Sequence, residues 1–280
     1  MLKKEIDIIE THHGKIEYSI MGTGSPILYL HGSLSNCHDD FGHEPLVKAV
    51  FSIISPSRPG YGNTPLSSGQ TAEQAADLLQ DLLDFLNIKI IDVIAVSGGG
   101  LTGLYFCSKY QNSVRKLILE SAVSKPLNLE KARYRSAKLF YGSRHRFIWW
   151  TLNVMGTISK RSLVKKTYEL FSTCNVKTIM KEITDTDIDA VVKFYKKDPE
   201  NIGALNDLDH IITDEVFCNV LAPTLIVHSK QDRAVPFEHA ENANKLIHNS
   251  ELFVADTWGH FIWIGNGSEQ VSQKVIGFLK

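Results

Sequence analysis

The 280-residue chain is 43% hydrophobic and 22% charged, with 30 Lys+Arg against 31 Asp+Glu. That composition excludes collagen-like, low-complexity and wholly disordered chains, and a net charge of −1 offers no global basic field for a dedicated nucleic-acid binder. The length sits near the ceiling for one hydrophobic core, so one domain with an elaboration, or two small domains, is expected.

From the N-terminus, Met1 to Glu5 carries two lysines with no apolar stretch after them and does not read as a secretory signal. Glu5 to Glu10 and Lys15 to Met21 alternate apolar and polar residues around His13-Gly14, which predicts a hairpin. Gly22-Thr23-Gly24 lacks the third glycine of a dinucleotide fingerprint, since position 27 is Ile. Six short apolar runs follow: Ile27–Leu30, Phe51–Ile54, Val93–Val96, Leu117–Leu119, Thr224–Val227 and Leu252–Val254. Unbroken runs of this length fit strands buried on both faces. Helical patterns lie between them at Thr71 to Leu86, Gly99 to Tyr110, Phe237 to Ile247 and Glu269 to Leu279. The first opens on Thr71 with Gln74 three residues on, a capping box, and continues in a stripe that includes Leu78, Leu79, Leu82, Leu83, Phe85 and Leu86. Strands alternating with helices predict an α/β fold with a mostly parallel, helix-flanked sheet.

This rhythm breaks between about Ala122 and Leu221, where helices are expected at Leu129 to Tyr141, Phe147 to Leu163 and Asp187 to Lys197. Residues 1–121 and 211–280 therefore read as a core, and 122–210 as a helical insertion. No run approaches the roughly 20 apolar residues of a membrane span. The cysteines, Cys37, Cys107, Cys174 and Cys218, form no CxxC pair and suit no zinc site. A reduced, cytoplasmic protein is the expectation, with a structural disulfide left open.

The sharpest chemical signal is Ala95-Val96-Ser97-Gly98-Gly99-Gly100, which directly follows a predicted strand and opens a helix. Serine on such a turn is the context of a nucleophile elbow, with small residues two before (Ala95) and two after (Gly99). A Gly-rich loop binding phosphate on its amides is the other reading; the lack of a lysine excludes a P-loop. A serine nucleophile needs a base and an acid to orient it. Among eleven histidines, His260 is best placed, on the loop after the last strand, and Asp232 lies on the loop after Thr224–Val227. Glu120 is the second-choice acid. Loops that follow parallel strands share the carboxyl edge of a sheet, where ligands bind. His31-Gly32-Ser33 follows the first central strand, and the Ser33 and Gly98 amides are the candidate oxyanion donors.

With these motifs, and with the Ser57 to Thr64 loop beside them, the chain resembles the α/β-hydrolase fold enzymes over nearly its whole length. The order Ser, Asp, His is the order of that fold. The resemblance implies that residues 122–210 form a helical cap over the site. It also implies a carboxylesterase-like serine hydrolase working through an acyl-enzyme, with no metal or organic cofactor. Lactone, thioester and C–C bond hydrolysis use the same triad and stay open, as does a ligand-binding homologue without turnover. A small-molecule ester is the expected partner, and nucleic acid is not.

The insertion supplies the substrate hints. Trp149, Trp150, Trp258 and Phe261, with His31, are the candidate pocket residues. Residues 121–170 hold eleven Lys+Arg against Glu130 and Glu169, a local charge of +9. A solvated basic face is the plain reading; attraction of an anionic substrate or a membrane surface is the sharper one.

Overall fold

The computed structural model describes residues 4–126, 145–195 and 202–280. Eight strands form one sheet in the order β1-β2-β4-β3-β5-β6-β7-β8. They are β1 (Lys4–Thr11), β2 (Gly14–Met21), β3 (Ser25–Leu30), β4 (Phe51–Pro56), β5 (Ile91–Val96), β6 (Val114–Glu120), β7 (Thr224–His228) and β8 (Ser250–Val254). The pairs β1/β2 and β2/β4 are antiparallel and all the others parallel. The hairpin turns at His12-His13 rather than His13-Gly14, because Gly14 already pairs with Thr11.

The apolar runs are unbroken because both sheet faces are covered. On one face Leu28, Leu30, Val93 and Ala95 pack beneath α2 (Ala72–Phe85), α3 (Gly100–Lys109) and α10 (Glu238–Leu246). On the other, Ile27, Tyr29, Ile94 and Val96 meet α1 (His43–Lys48) and α11 (Ser268–Leu279). The predicted capping box at α2 is present. Thr71 Oγ1 accepts from the Gln74 amide at 3.1 Å, and Gln74 Oε1 accepts from the Thr71 amide at 3.2 Å. Phe85 falls off the buried stripe and is 54% exposed. Thr71→Ala should cost about 1 kcal/mol in denaturant unfolding, and Thr71→Asp should be no less stable than the wild type; equal stability of all three would mean the box is not coupled to global unfolding.

Among the described residues six helices lie between β6 and β7: α4 (His145–Ile158), α5 (Lys160–Phe171), α6 (Val176–Glu182), α7 (Asp185–Tyr195), α8 (Ile202–Asp207) and α9 (Asp214–Cys218). The single helix expected over Phe147 to Leu163 is two, because Ser159 leaves helical geometry and its Oγ caps the Ser162 amide. The helix expected at Asp187 to Lys197 starts at Asp185, and its last two positions, like the one expected at Leu129 to Tyr141, lie outside the described residues. Short α6, α8 and α9 carry no clear periodicity in sequence and were not expected. Val216 and Phe217 of α9 pack into the core beneath the sheet. The helices before α9 instead share a separate apolar cluster with Leu34, Tyr61, Trp258, Phe261 and Ile264 from the loops at the carboxyl edge. No helix among the described residues is long and apolar enough to cross a membrane. All four cysteines are free.

Candidate active site

Ser97 follows β5 and adopts φ 47°, in the left-handed region that a non-glycine residue occupies only under constraint. The turn closes because strand and helix approach without side chains between them. A Cβ at Gly99 would lie 2.7 Å from the carbonyl oxygens of Leu30 and His31. Ala95, where the commoner motif has glycine, is accommodated from the helix side: Gly103 of α3 faces it, and a Cβ there would lie 2.6 Å from the Ala95 methyl. Ser97 O accepts from the Val123 amide at 2.9 Å, which anchors the turn to the loop after β6.

Asp232 and His260 meet from the loops after β7 and β8. His260 Nδ1 and Asp232 Oδ2 are 2.7 Å apart, and Asp232 Oδ1 accepts from the Ala234 and Val235 amides at 2.8 and 2.9 Å. Since the carboxylate can only accept, Nδ1 carries the proton and Nε2 keeps its lone pair. Burial pushes the Asp232 carboxyl up, but His260 and His228 beside it more than offset this and hold it at about 2. Ser97 and His260 line one cavity, and hydrogen bonds between a nucleophile and its base commonly tighten only with substrate present.

Ser33 and Gly98 line the same cavity. A Cβ on Gly98 would lie 3.2 Å from the Ser33 nitrogen, so the two amides are near neighbours. His31 is a pin for the backbone. Its Nδ1 donates to Gly32 O at 2.8 Å and its Nε2 accepts from the Arg58 amide at 3.0 Å, joining the His31–Ser33 loop to the Ser57–Thr64 loop.

The cavity encloses about 180 Å³ and its apolar wall includes Leu34, Phe171, Phe194, Val235, Phe261 and Trp263. The pocket expectation needs correction for the other tryptophans. Trp149 and Trp258 are buried in the apolar cluster of the insertion, and Trp150 is 60% exposed; none of the three is part of the cavity wall. Aromatics at helical spacing were needed to hold helices together rather than to face a ligand. Glu120, the second-choice acid, does not reach His260. Its Oε2 accepts from Trp263 Nε1 at 2.8 Å, and burial raises its carboxyl to about 7. Asp207 also lines the cavity, and no local signal in its polar stretch, Asn206 to His210, marks it.

The basic segment is partly neutralised where it is described. Lys125 pairs with Glu238, Lys160 with Asp189 and Lys166 with Glu169. Five of its eleven cations, at 131, 133, 135, 138 and 144, lie outside the described residues.

A mostly parallel sheet with a strained serine after β5 and a paired acid and histidine after β7 and β8 defines an α/β-fold hydrolase. Comparison with known proteins agrees. The profile of the alpha/beta hydrolase fold matches residues 25–266, and the chain belongs to that family. It is 33% identical over 283 residues to YcgS, an uncharacterised hydrolase of Bacillus subtilis (strain 168), covering all of both chains. Among solved structures it is similar to an alpha/beta hydrolase fold protein from Nakamurella multipartita, with TM-score 0.84, 26% identity and 98% and 99% of the two chains covered. A thermophilic esterase from Thermogutta terrifontis shares the fold, with TM-score 0.75, 23% identity and 98% of each chain covered.

Proposed function

We propose that this protein is a serine hydrolase that cleaves a carboxylic ester of a small, largely apolar substrate through an acyl-enzyme. The observation that carries the reading is the 2.7 Å His260–Asp232 pair opening onto the cavity that holds Ser97. Ser97 Oγ attacks the ester carbonyl while His260 Nε2 takes its proton. Asp232 keeps the imidazole in its Nδ1–H tautomer and stabilises the imidazolium. Negative charge on the carbonyl oxygen falls to the amides of Ser33 and Gly98, each worth on the order of 10²–10³ in rate. His260 then returns the proton to the leaving alkoxide, and the alcohol departs. Water, deprotonated by the same nitrogen, attacks the acyl-enzyme and releases the acid with Ser97 restored.

The insertion over residues 122–210 acts in this reading as a lid. Its strap is the end of α5. Phe171 O accepts from the His260 amide at 3.1 Å, and the Thr173 amide donates to Gln231 O at 2.9 Å, so acid and base loops are both tied to it. Free cysteines fit a reducing compartment, and a cytoplasmic location is part of the proposal.

A fluorophosphonate probe should label Ser97 in the folded protein; no label on protein that is folded would overturn the reading. A cavity of about 180 Å³ suits short acyl groups. In a series of p-nitrophenyl esters, kcat/KM for acetate through butyrate should exceed that for dodecanoate by roughly tenfold or more, because a chain that overfills the cavity must displace its wall at a cost of about 1–3 kcal/mol. A preference rising with chain length would refute the pocket assignment while leaving the triad intact.

A further inference from the structure

Asp207 ends α8, within the insertion, yet its carboxylate serves the core. Oδ2 accepts from Ser33 Oγ at 2.7 Å, from Tyr61 OH at 2.6 Å and from Arg58 Nη2 at 2.8 Å; Oδ1 accepts from Arg58 Nη1 at 2.7 Å. Asp207, Arg58 and Tyr61 are all buried. Arg58 is itself anchored, its Nε donating to His31 O at 2.9 Å and its amide to His31 Nε2 at 3.0 Å. One carboxylate from the insertion thus holds the His31–Ser33 loop at both ends, directly through Ser33 and through Arg58 at His31.

Two glycines show how closely the parts are fitted. The Gly203 amide of α8 donates to Gly60 O at 3.0 Å, and a Cβ on Gly203 would lie 2.2 Å from the Tyr61 ring, so α8 sits flush on the Arg58–Gly62 turn. A Cβ on Gly98 would lie 2.3 Å from Ser33 Oγ and 2.9 Å from Asp207 Oδ2. The Ser33–Asp207 hydrogen bond therefore lies directly against Gly98, beside the Ser33 amide nitrogen, which that Cβ would approach to 3.2 Å. A carboxylate there would oppose negative charge developing on a substrate oxygen, but the two-pronged Arg58 contact neutralises it. What remains of its influence is geometric.

We propose that Asp207 is a positioning residue: through Ser33 Oγ it sets the Ser33 amide against that of Gly98, so that the oxyanion hole is complete only while α8 is seated on the core. This rests on the serine-hydrolase reading above. It makes lid closure and catalytic competence one event, because the bond that completes the hole comes from the lid.

The test compares kcat and KM for p-nitrophenyl butyrate in the wild type, Ser33→Ala and Tyr61→Phe. Ser33→Ala keeps the backbone amide and removes only the tether; Tyr61→Phe removes an equally short bond to the same oxygen while keeping the Ser33–Asp207 bond and the ring that packs on His31. Ser33→Ala should lower kcat about tenfold at a KM within twofold, a partial loss of one oxyanion donor, and Tyr61→Phe should stay within twofold in both. The proposal is overturned if both variants match the wild type, if both lose kcat equally, or if Ser33→Ala raises KM at unchanged kcat, which would make the hydroxyl a binding contact. Wild-type protein without ester turnover would sink the serine-hydrolase reading and this inference with it; an active wild type with an unaffected Ser33→Ala sinks the inference alone.

Discussion

Ser97→Ala should lose ester turnover by about 10⁴-fold or more, His260→Ala should lose a comparable amount, and the double variant should be little worse than either. The non-additivity follows from chemistry. Without the hydroxyl there is nothing for His260 to deprotonate, and without the imidazole the hydroxyl stays a neutral, weak nucleophile. Residual activity would come from the amides of Ser33 and Gly98 acting on attack by water. Stability gives an independent readout. Ser97 keeps φ 47° with a Cβ present, so Ser97→Ala should leave the melting temperature nearly unchanged, whereas Ser97→Gly should be inactive and more stable by about 1 kcal/mol as the strain is released. If Ser97→Ala kept wild-type turnover after removal of contaminating esterase, the nucleophile would lie elsewhere.

Much of the core was legible because its cause is local. Every residue of β5, Ile91 to Val96, is buried, and from Val93 onward the strand reads as an uninterrupted apolar run wherever the helices lie. Asp92 within it is held by Arg115 from the neighbouring strand. The ends of the insertion's helices were less legible, since they depend on single side chains. Ser159 ends one apolar periodicity and starts another, and Asn175 caps α6 by accepting from the Lys177 amide at 2.9 Å. Neither residue differs in kind from serines and asparagines that merely face solvent.

Ser97, Asp232 and His260 could be found by position, because each follows a strand and parallel strands deliver their next residues to one edge. Asp207 could not. Its bonds to Arg58 and Ser33 span 149 and 174 residues of sequence, and nothing in its helix depends on them. The tryptophans misled for the opposite reason. Trp149 packs beside Phe194 and Tyr195, and Trp258 beside Tyr168, so their bulk is used within the insertion and its seat. Of the tryptophans, Trp263 alone is among the residues that line the described cavity, with Phe171, Phe194 and Phe261 beside it.

Asp232→Asn should reduce turnover by about 10⁴-fold, while Glu120→Gln should leave it within a few fold, and the two should differ just as clearly in their effect on stability. Asn at 232 presents an amide that cannot accept from His260 Nδ1 and from the Ala234 and Val235 amides as the carboxylate does, so the imidazole loses the tautomer that frees Nε2. Glu120 bonds Trp263 Nε1, while His260 Nδ1 is taken by Asp232; Gln at 120 can still accept from Trp263 Nε1. The pH signs are opposite. Asp232 is held at about 2, below its ordinary 3.8, so it contributes stability that is present above 3.8 and lost as pH falls through 2. Glu120 is raised to about 7 from 4.5. The folded state then holds a proton the unfolded chain has already released, and stability falls as pH rises from 4.5 to 7, by about 3 kcal/mol at full size. Glu120→Gln should flatten that stretch of the profile and raise the melting temperature at pH 8; Asp232→Asn should flatten the acid limb instead. Turnover destroyed by the Glu120 change and spared by the Asp232 change would reverse the assignment of the acid, and a steep profile between pH 4.5 and 7 persisting in Glu120→Gln would move that proton to another group.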